Sequence, residues 1–463
     1  MGAARSNHLK ACAAAERAAA CDEAPAPAAR RTTAGRPAVA RLSGAARTLC
    51  RPWMLAAVWL VALGYASRFV LYRLPAPPEF TDFNHFYIAA RALEAGANPY
   101  ATDLASLRTF KLDTGPIRIE NQTPTTLVLF EPFTKLDPRI AYWVWVSLCA
   151  ALLLFALGML LRASALDTRQ CLLFAAIILL YPAVYEHFCF ANLQIVIMAL
   201  VVIAIYGLER GADCRAGASL ALAVALKGYP IFIAIYLICR ARWRALVWMM
   251  VWGGIIGSLT LWRAGWPAFS FLGTLGFTTS RKFLENAGFV SLDAIVSRLF
   301  WANHAALSAR VELMRRAAIG AAEVALLCAT IAATLRTAQE RDLRALSLWI
   351  AAMILLSPVA EPQYLVLLMV PFAAAADAAA RGEAEPRAIY AALGSYALAF
   401  ARYPVALLHH VTAGAPVFFR VADQFWSFAL MLAYLAMYWL VASAPVAADE
   451  SARLMPAAAC AAR

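Results

Sequence analysis

Charged side chains are scarce in this chain: Asp, Glu, Lys and Arg make up 15% of its 463 residues, where soluble domains carry about 25%. With 63% hydrophobic residues and a mean hydropathy of +0.66, that scarcity excludes both a soluble enzyme and a wholly disordered chain. Alternating ten-residue strands are missing, which argues against an outer-membrane barrel. There is no Gly-rich phosphate loop and no acidic DxD cluster, so a nucleotide-sugar site of the soluble kind has no support. The ten cysteines include no CxxC pair and lie in the tails or in and beside apolar runs, which speaks against a disulfide framework or a zinc site. His304 and His409-His410 lack a second ligand at metal-binding spacing, and no metal or cofactor is expected.

What is present is a series of long apolar runs, near 140–161, 188–208, 245–262 and 424–448. Each approaches the roughly 17–25 residues that cross a bilayer as a helix. The net charge of +13, from 41 basic against 28 acidic residues, belongs to residues flanking those runs. It therefore reads as membrane topology and not as a nucleic-acid surface.

Residues 1–51 carry nine basic side chains and no apolar period, as a disordered cytoplasmic tail would. The first apolar run, 52–72, exceeds a signal-peptide core and reads as an uncleaved anchor with its N-terminus inside. A membrane domain over 52–443 follows, interrupted by two polar stretches, 73–123 and 263–312, expected as extracytoplasmic loops. The last residues, 444–463, form a second cytoplasmic tail. The stretch 124–239 admits two readings. In the favoured one, 124–136 is a short span, 216–239 is a single crossing anchored by Arg240, Arg242 and Arg244, and the total is twelve. In the other, 124–136 is re-entrant, Arg162, Arg169, Arg210 and Arg215 move inside, and 216–239 becomes a hairpin.

Two charged residues stand out in apolar surroundings. Asp82, flanked by Phe80, Phe83 and Phe86 just beyond the first span, is partly desolvated, which raises its proton affinity toward that of a general base; the plainer reading is a helix N-cap. Lys227 interrupts an apolar stretch where insertion of a lysine costs about 2.5–3.5 kcal/mol. It calls for a partner or a water-filled cavity, and Gly228 and Pro230 would let the helix open there. An anionic headgroup and an internal ion pair with Glu131 or Glu186 are equally suitable partners. Glu186-His187, Asn192-Leu-Gln194 and Glu361 each end an apolar run and read first as polar turns.

Taken in order, Asp82-Phe-Asn-His-Phe-Tyr-Ile-Ala-Ala90, Gly96-Ala-Asn-Pro-Tyr100, Pro124-Thr-Thr-Leu-Val-Leu-Phe-Glu-Pro132, Ala141-Tyr-Trp-Val-Trp145, Asn192-Leu-Gln194 and Leu226-Lys-Gly-Tyr-Pro230 resemble glycosyltransferase family 87. That integral-membrane group includes polyprenol-phosphate-mannose-dependent α-mannosyltransferases. The resemblance spans roughly 75–380 and implies an all-α, GT-C-type bundle of about twelve transmembrane helices with two long extracytoplasmic loops. It makes Asp82 the catalytic base. Lys227, Asn84, His85, Tyr87, Asn192, Gln194, Asn286 and Glu361 are the candidate substrate-binding residues. The chain departs from its relatives after Ser357-Pro358, where they often carry an aromatic residue and a histidine and this chain has Glu361-Pro-Gln-Tyr364.

The implied activity is transfer of a hexose, mannose in the family's case, from a polyprenyl-phosphate donor to an extracytoplasmic glycan or glycolipid. The enzyme would sit in the cell membrane with membrane lipid around it and no nucleic-acid partner. A displacement from a lipid phosphate needs a base for the acceptor hydroxyl and cations for the leaving phosphate. The competing class is a secondary transporter or lipid flippase, for which inverted repeats would be the sign; no second copy of the Asp82 or Lys227 segment is present.

Overall fold

The structure is a computed structural model that describes residue 44 and residues 48–73, 82–100, 122–270, 289–299, 308–336, 342–411 and 424–442, with backbone alone at 72, 73, 270, 299 and 401–411. Most of the 1–51 tail, much of both expected outer loops, Asn286, His304 and 444–463 lie outside the described residues. The chain divides into units Met1–Ala45 and Ala46–Arg463, and the second holds everything below.

The described residues form helices only. In chain order these are α1 (Pro52–Arg73), α2 (Asp82–Glu94), α3 (Pro124–Phe130), α4 (Pro138–Ala163), α5 (Thr168–Leu180), α6 (Pro182–Phe190), α7 (Gln194–Glu209), α8 (Asp213–Leu226), α9 (Phe232–Cys239), α10 (Trp243–Ala264), α11 (Leu292–Leu299), α12 (Ala309–Arg336), α13 (Asp342–Leu355), α14 (Met369–Ala380), α15 (Pro386–Val411) and α16 (Phe425–Ala442). Short 3-10 turns at Glu131–Lys135, Tyr229–Ile231, Trp266–Ser270 and Pro362–Leu368 join some of them. Among the described residues, six helical segments are long and apolar enough to cross a membrane, or seven counting the bent pair α5–α6. Local chemistry sets the boundaries. Asp137 accepts the Arg139 N–H at 3.0 Å and Pro138 opens α4. Asp167 and Gln170 close a capping box on α5. Pro182 has no N–H to continue α5, which stops at Tyr181 and resumes bent by 51°.

Burial grades from periphery to centre as a bilayer requires. The apolar window within 362–380 is 78% buried, whereas those of α10 and α1 are only 17% and 11% buried. Trp262, Met250 and Leu60 are correspondingly exposed, an apolar exterior that is stable against lipid and not against water. This is a multi-pass membrane protein. Helices α8 and α10 cross closely because Gly217 lets them: a Cβ there would fall 2.6 Å from the Met249 N and the Trp248 Cβ.

Polar contacts sort the helix ends into two groups. At the basic end, Asp342 takes Arg242 at 2.6 Å and the Tyr236 hydroxyl at 2.7 Å. There Asp377 accepts the Ala165 N–H at 2.7 Å and pairs with Arg381 at 3.0 Å, and Arg344 pairs with Glu383. At the opposite end lie Asp82, Asn192, Lys227 and Glu361. The segment 124–136 remains wholly at that second end. The Thr123 and Thr126 hydroxyls donate to the last carbonyls of α8, Ala225 at 2.6 Å and Leu226 at 2.8 Å. Glu131 pairs with Arg263 at 2.9 Å, and Thr134 and Lys135 bond Glu94.

The favoured reading of 124–239 is thereby corrected. Residues 124–136 fold as a seven-residue helix and a 3-10 turn that do not cross. Residues 213–239 form a hairpin, rising through α8 and returning through α9, because Lys227 adopts an extended backbone (φ −148°, ψ 119°) that ends α8. Both feet of the hairpin are at the basic end, which gathers Arg162, Arg169, Arg210 and Arg215 with Arg240–Arg244, as the positive-inside tendency favours.

Candidate active site

Four chain breaks meet at the end opposite the basic one. Asp82 is the first residue of α2, placed in the first turn where the helix dipole favours a carboxylate. The rings of Phe83, Tyr87, Phe130 and Tyr142 gather behind it, Phe83 lying 5.6–5.9 Å from the other three. Its Oδ2 accepts the Asn192 side-chain amide at 2.5 Å and the Gln363 amide at 3.4 Å. Partners 110 and 281 residues away show a carboxylate held by tertiary contacts; a cap would face its own first turn.

Asn192 follows Ala191, whose left-handed backbone (φ 51°, ψ 46°) ends α6. Trp145 fixes that turn by donating to the Ala191 carbonyl at 3.0 Å. The Asn192 Oδ1 accepts the Leu193 N–H at 2.5 Å and lies 3.5 Å from the Gln194 amide. The Gln194 Oε1 accepts the Tyr229 hydroxyl at 2.5 Å. Along the other arm, Gln363 donates to Glu361 as well as Asp82. One chain of hydrogen bonds therefore runs Tyr229, Gln194, Asn192, Asp82, Gln363, Glu361.

Lys227 closes the cluster from above. It is 6% exposed, its Nζ lies 3.4 Å from the Tyr364 hydroxyl and 5.7 Å from that ring's centroid, and Tyr364 packs on Tyr229 at 5.2 Å. Among the described residues its ammonium makes no ion pair, and Glu131 pairs instead with Arg263. Asp82 and Glu361 are the carboxylates within electrostatic reach of this buried ammonium. Across the cluster, burial and the Asp82 charge raise the proton affinity of Glu361, which lies in the turn before its span, and Lys227 and Gln363 oppose them; the carboxyl is pushed up to about 7.

The structure thus brings together Asp82, Lys227, Asn192, Gln194 and Glu361 from four separate sequence segments. Asn84 is fully buried and His85 half-buried on α2, whereas Tyr87 gives its hydroxyl to the Leu136 carbonyl at 2.9 Å and ties α2 to the turn below α3. Asn286 is outside the described residues. Gln363, Tyr364 and Tyr229 were not singled out from sequence. Their signal was position alone, each within three residues of Glu361 or Lys227 and within two of a proline.

None of the curated proteins matches the chain. The family model described as "Glycosyltransferase family 87" matches residues 123–358, half of the sequence. The chain belongs to glycosyltransferase family 87. It is a glycosyltransferase, and the transporter and flippase class falls away with that membership. The matched span contains Asn192, Gln194, Lys227 and Tyr229; Asp82 precedes it and Glu361, Gln363 and Tyr364 follow it, and the fold brings these flanking residues beside the matched ones. A solved structure, "ArnT from Cupriavidus metallidurans bound to Undecaprenyl phosphate", is similar at 14% identity and a TM-score of 0.37, over 84% of this chain and 75% of that one.

Proposed function

We propose that this family 87 enzyme transfers a hexose, mannose by the family's habit, from a polyprenyl-phosphate donor to a glycan or glycolipid, with Asp82 as general base and Lys227 as the phosphate partner. The single observation that supports this most is the meeting of a carboxylate and a buried ammonium that makes no ion pair among the described residues. In this reading Asp82 takes the proton of the acceptor hydroxyl as that oxygen bonds to the anomeric carbon. The anomeric carbon–oxygen bond to phosphate breaks, and its electron pair leaves on the lipid phosphate, which Lys227 stabilises. The donor carries its own leaving group, so the step as written uses no metal.

We further read the fold as GT-C type, with twelve passages once the short helices are counted and 124–136 left out. Both termini face the cytoplasm, and the cluster faces the outer side of the cell membrane, because the basic end belongs inside. Asn192 and Gln194 orient Asp82 and the sugar, and Asn84, His85 and Asn286 are read as further substrate-binding residues.

Asp82→Asn tests the base. Loss of general-base catalysis costs about 10²–10⁴-fold, whereas Asn caps a helix nearly as well as Asp. Purified Asp82→Asn enzyme should fold normally and lose at least that much turnover with a polyprenyl-phosphate-mannose donor. Near wild-type transfer by a folded variant would refute the assignment.

A further inference from the structure

Gln363 has two amide hydrogens and shares them between Asp82 and Glu361, so two carboxyl groups neighbour each other across one amide. Lys227 is within electrostatic reach of both. A donor phosphodiester would bring a third negative charge to the same ammonium. Three anions around one buried cation leave two charges unbalanced in a poorly solvated site, which is costly. One bound proton relieves half of that excess, and Glu361, beside both Asp82 and the shared Gln363 amide, is the carboxyl whose proton affinity is raised.

We propose that Glu361 is a positioning residue that works as a neutral acid: its proton leaves Lys227 available to the anionic donor, and donor binding is linked to that proton. This deepens the proposed function and rests on Lys227 as the phosphate's partner. The groups facing Glu361 are Asp82 from α2, Lys227 from the α8–α9 break, and Gln363 and Tyr364 from its own turn. Its backbone neighbours are held by the Val290 N–H, donating to Ala360 at 2.7 Å, and by the Ser291 hydroxyl against the Pro358 carbonyl. The balance of burial and Asp82 against Lys227 and Gln363 puts the carboxyl up to about 7. The sign follows: an anion that binds the protonated form keeps full affinity below that value and loses it as pH rises through it, by at most tenfold per unit.

The test uses full-length enzyme in lipid nanodiscs and farnesyl-phosphoryl-mannose, a phosphodiester without the second ionisation near 6 of a phosphate monoester. Titration calorimetry should give a dissociation constant that is flat below about pH 7 and rises toward pH 9 for wild type, and one that is flat throughout for Glu361→Gln. At pH 7.5, wild type measured in two buffers of different ionisation enthalpy should take up a fraction of a proton per donor bound, a measurement that stands even if Glu361→Gln does not fold. A flat wild-type profile, an unchanged slope in Glu361→Gln, or binding without proton uptake would each overturn the inference while leaving the donor reading intact. Absence of probe binding at every pH would overturn both.

Discussion

Replacing Lys227 with methionine separates a phosphate partner from a structural lysine. The ammonium is 6% exposed and its close polar contact is the Tyr364 hydroxyl at 3.4 Å. Methionine keeps the length of the side chain and removes a charge whose insertion costs about 2.5–3.5 kcal/mol. It forfeits a cation–π contact with Tyr364 worth about 0.5–2 kcal/mol, so the fold should hold its thermal midpoint or gain slightly. Donor binding behaves oppositely. A hydrogen bond to a charged group is worth about 1.5–3 kcal/mol, and about 1.4 kcal/mol is tenfold in affinity. The dissociation constant for a polyprenyl-phosphate donor should therefore rise by about 10- to 150-fold, read by calorimetry or by displacement of a fluorescent prenyl phosphate from purified enzyme. Unchanged donor affinity in a folded Lys227→Met protein would refute the assignment and make the lysine structural. A collapse of thermal stability would refute the bookkeeping, since it would mean that the ammonium sustains the fold.

Two further outcomes test the architecture. In a background without native cysteines, Arg215→Cys and Arg244→Cys should be modified by a membrane-impermeant thiol reagent from the same side, because both lie at the feet of the hairpin; labelling from opposite sides would restore a single crossing. Gly217→Ala should lower the thermal midpoint by the equivalent of about 1–3 kcal/mol, since its Cβ would meet backbone and Cβ atoms of α10 at 2.6–2.7 Å; an unchanged midpoint would show that the crossing is looser than described.

Sequence by itself determined the environment and most of the chemistry. Apolar runs of spanning length have no stable home in water, so membrane residence and helical class follow from composition before any contact is known. A charge inside such a run is costly enough that Lys227 stands out, and aromatic neighbours mark Asp82, whereas Glu361 reads on sequence as a polar turn. The capping signals at Asp137 and Asp167 and the break at Pro182 are local, because they depend on groups within four residues. What only the tertiary structure decided is direction and company. Hydropathy is blind to whether 216–239 crosses once or turns back, since the two paths differ by one extended residue at Lys227. The two threonines that take the freed carbonyls come from about 100 residues earlier in the chain. The glutamine between Asp82 and Glu361 carries no charge and no periodicity. Its role exists only because one side-chain amide can reach two carboxyls at once, and that is a property of three-dimensional proximity which no spacing along the chain encodes.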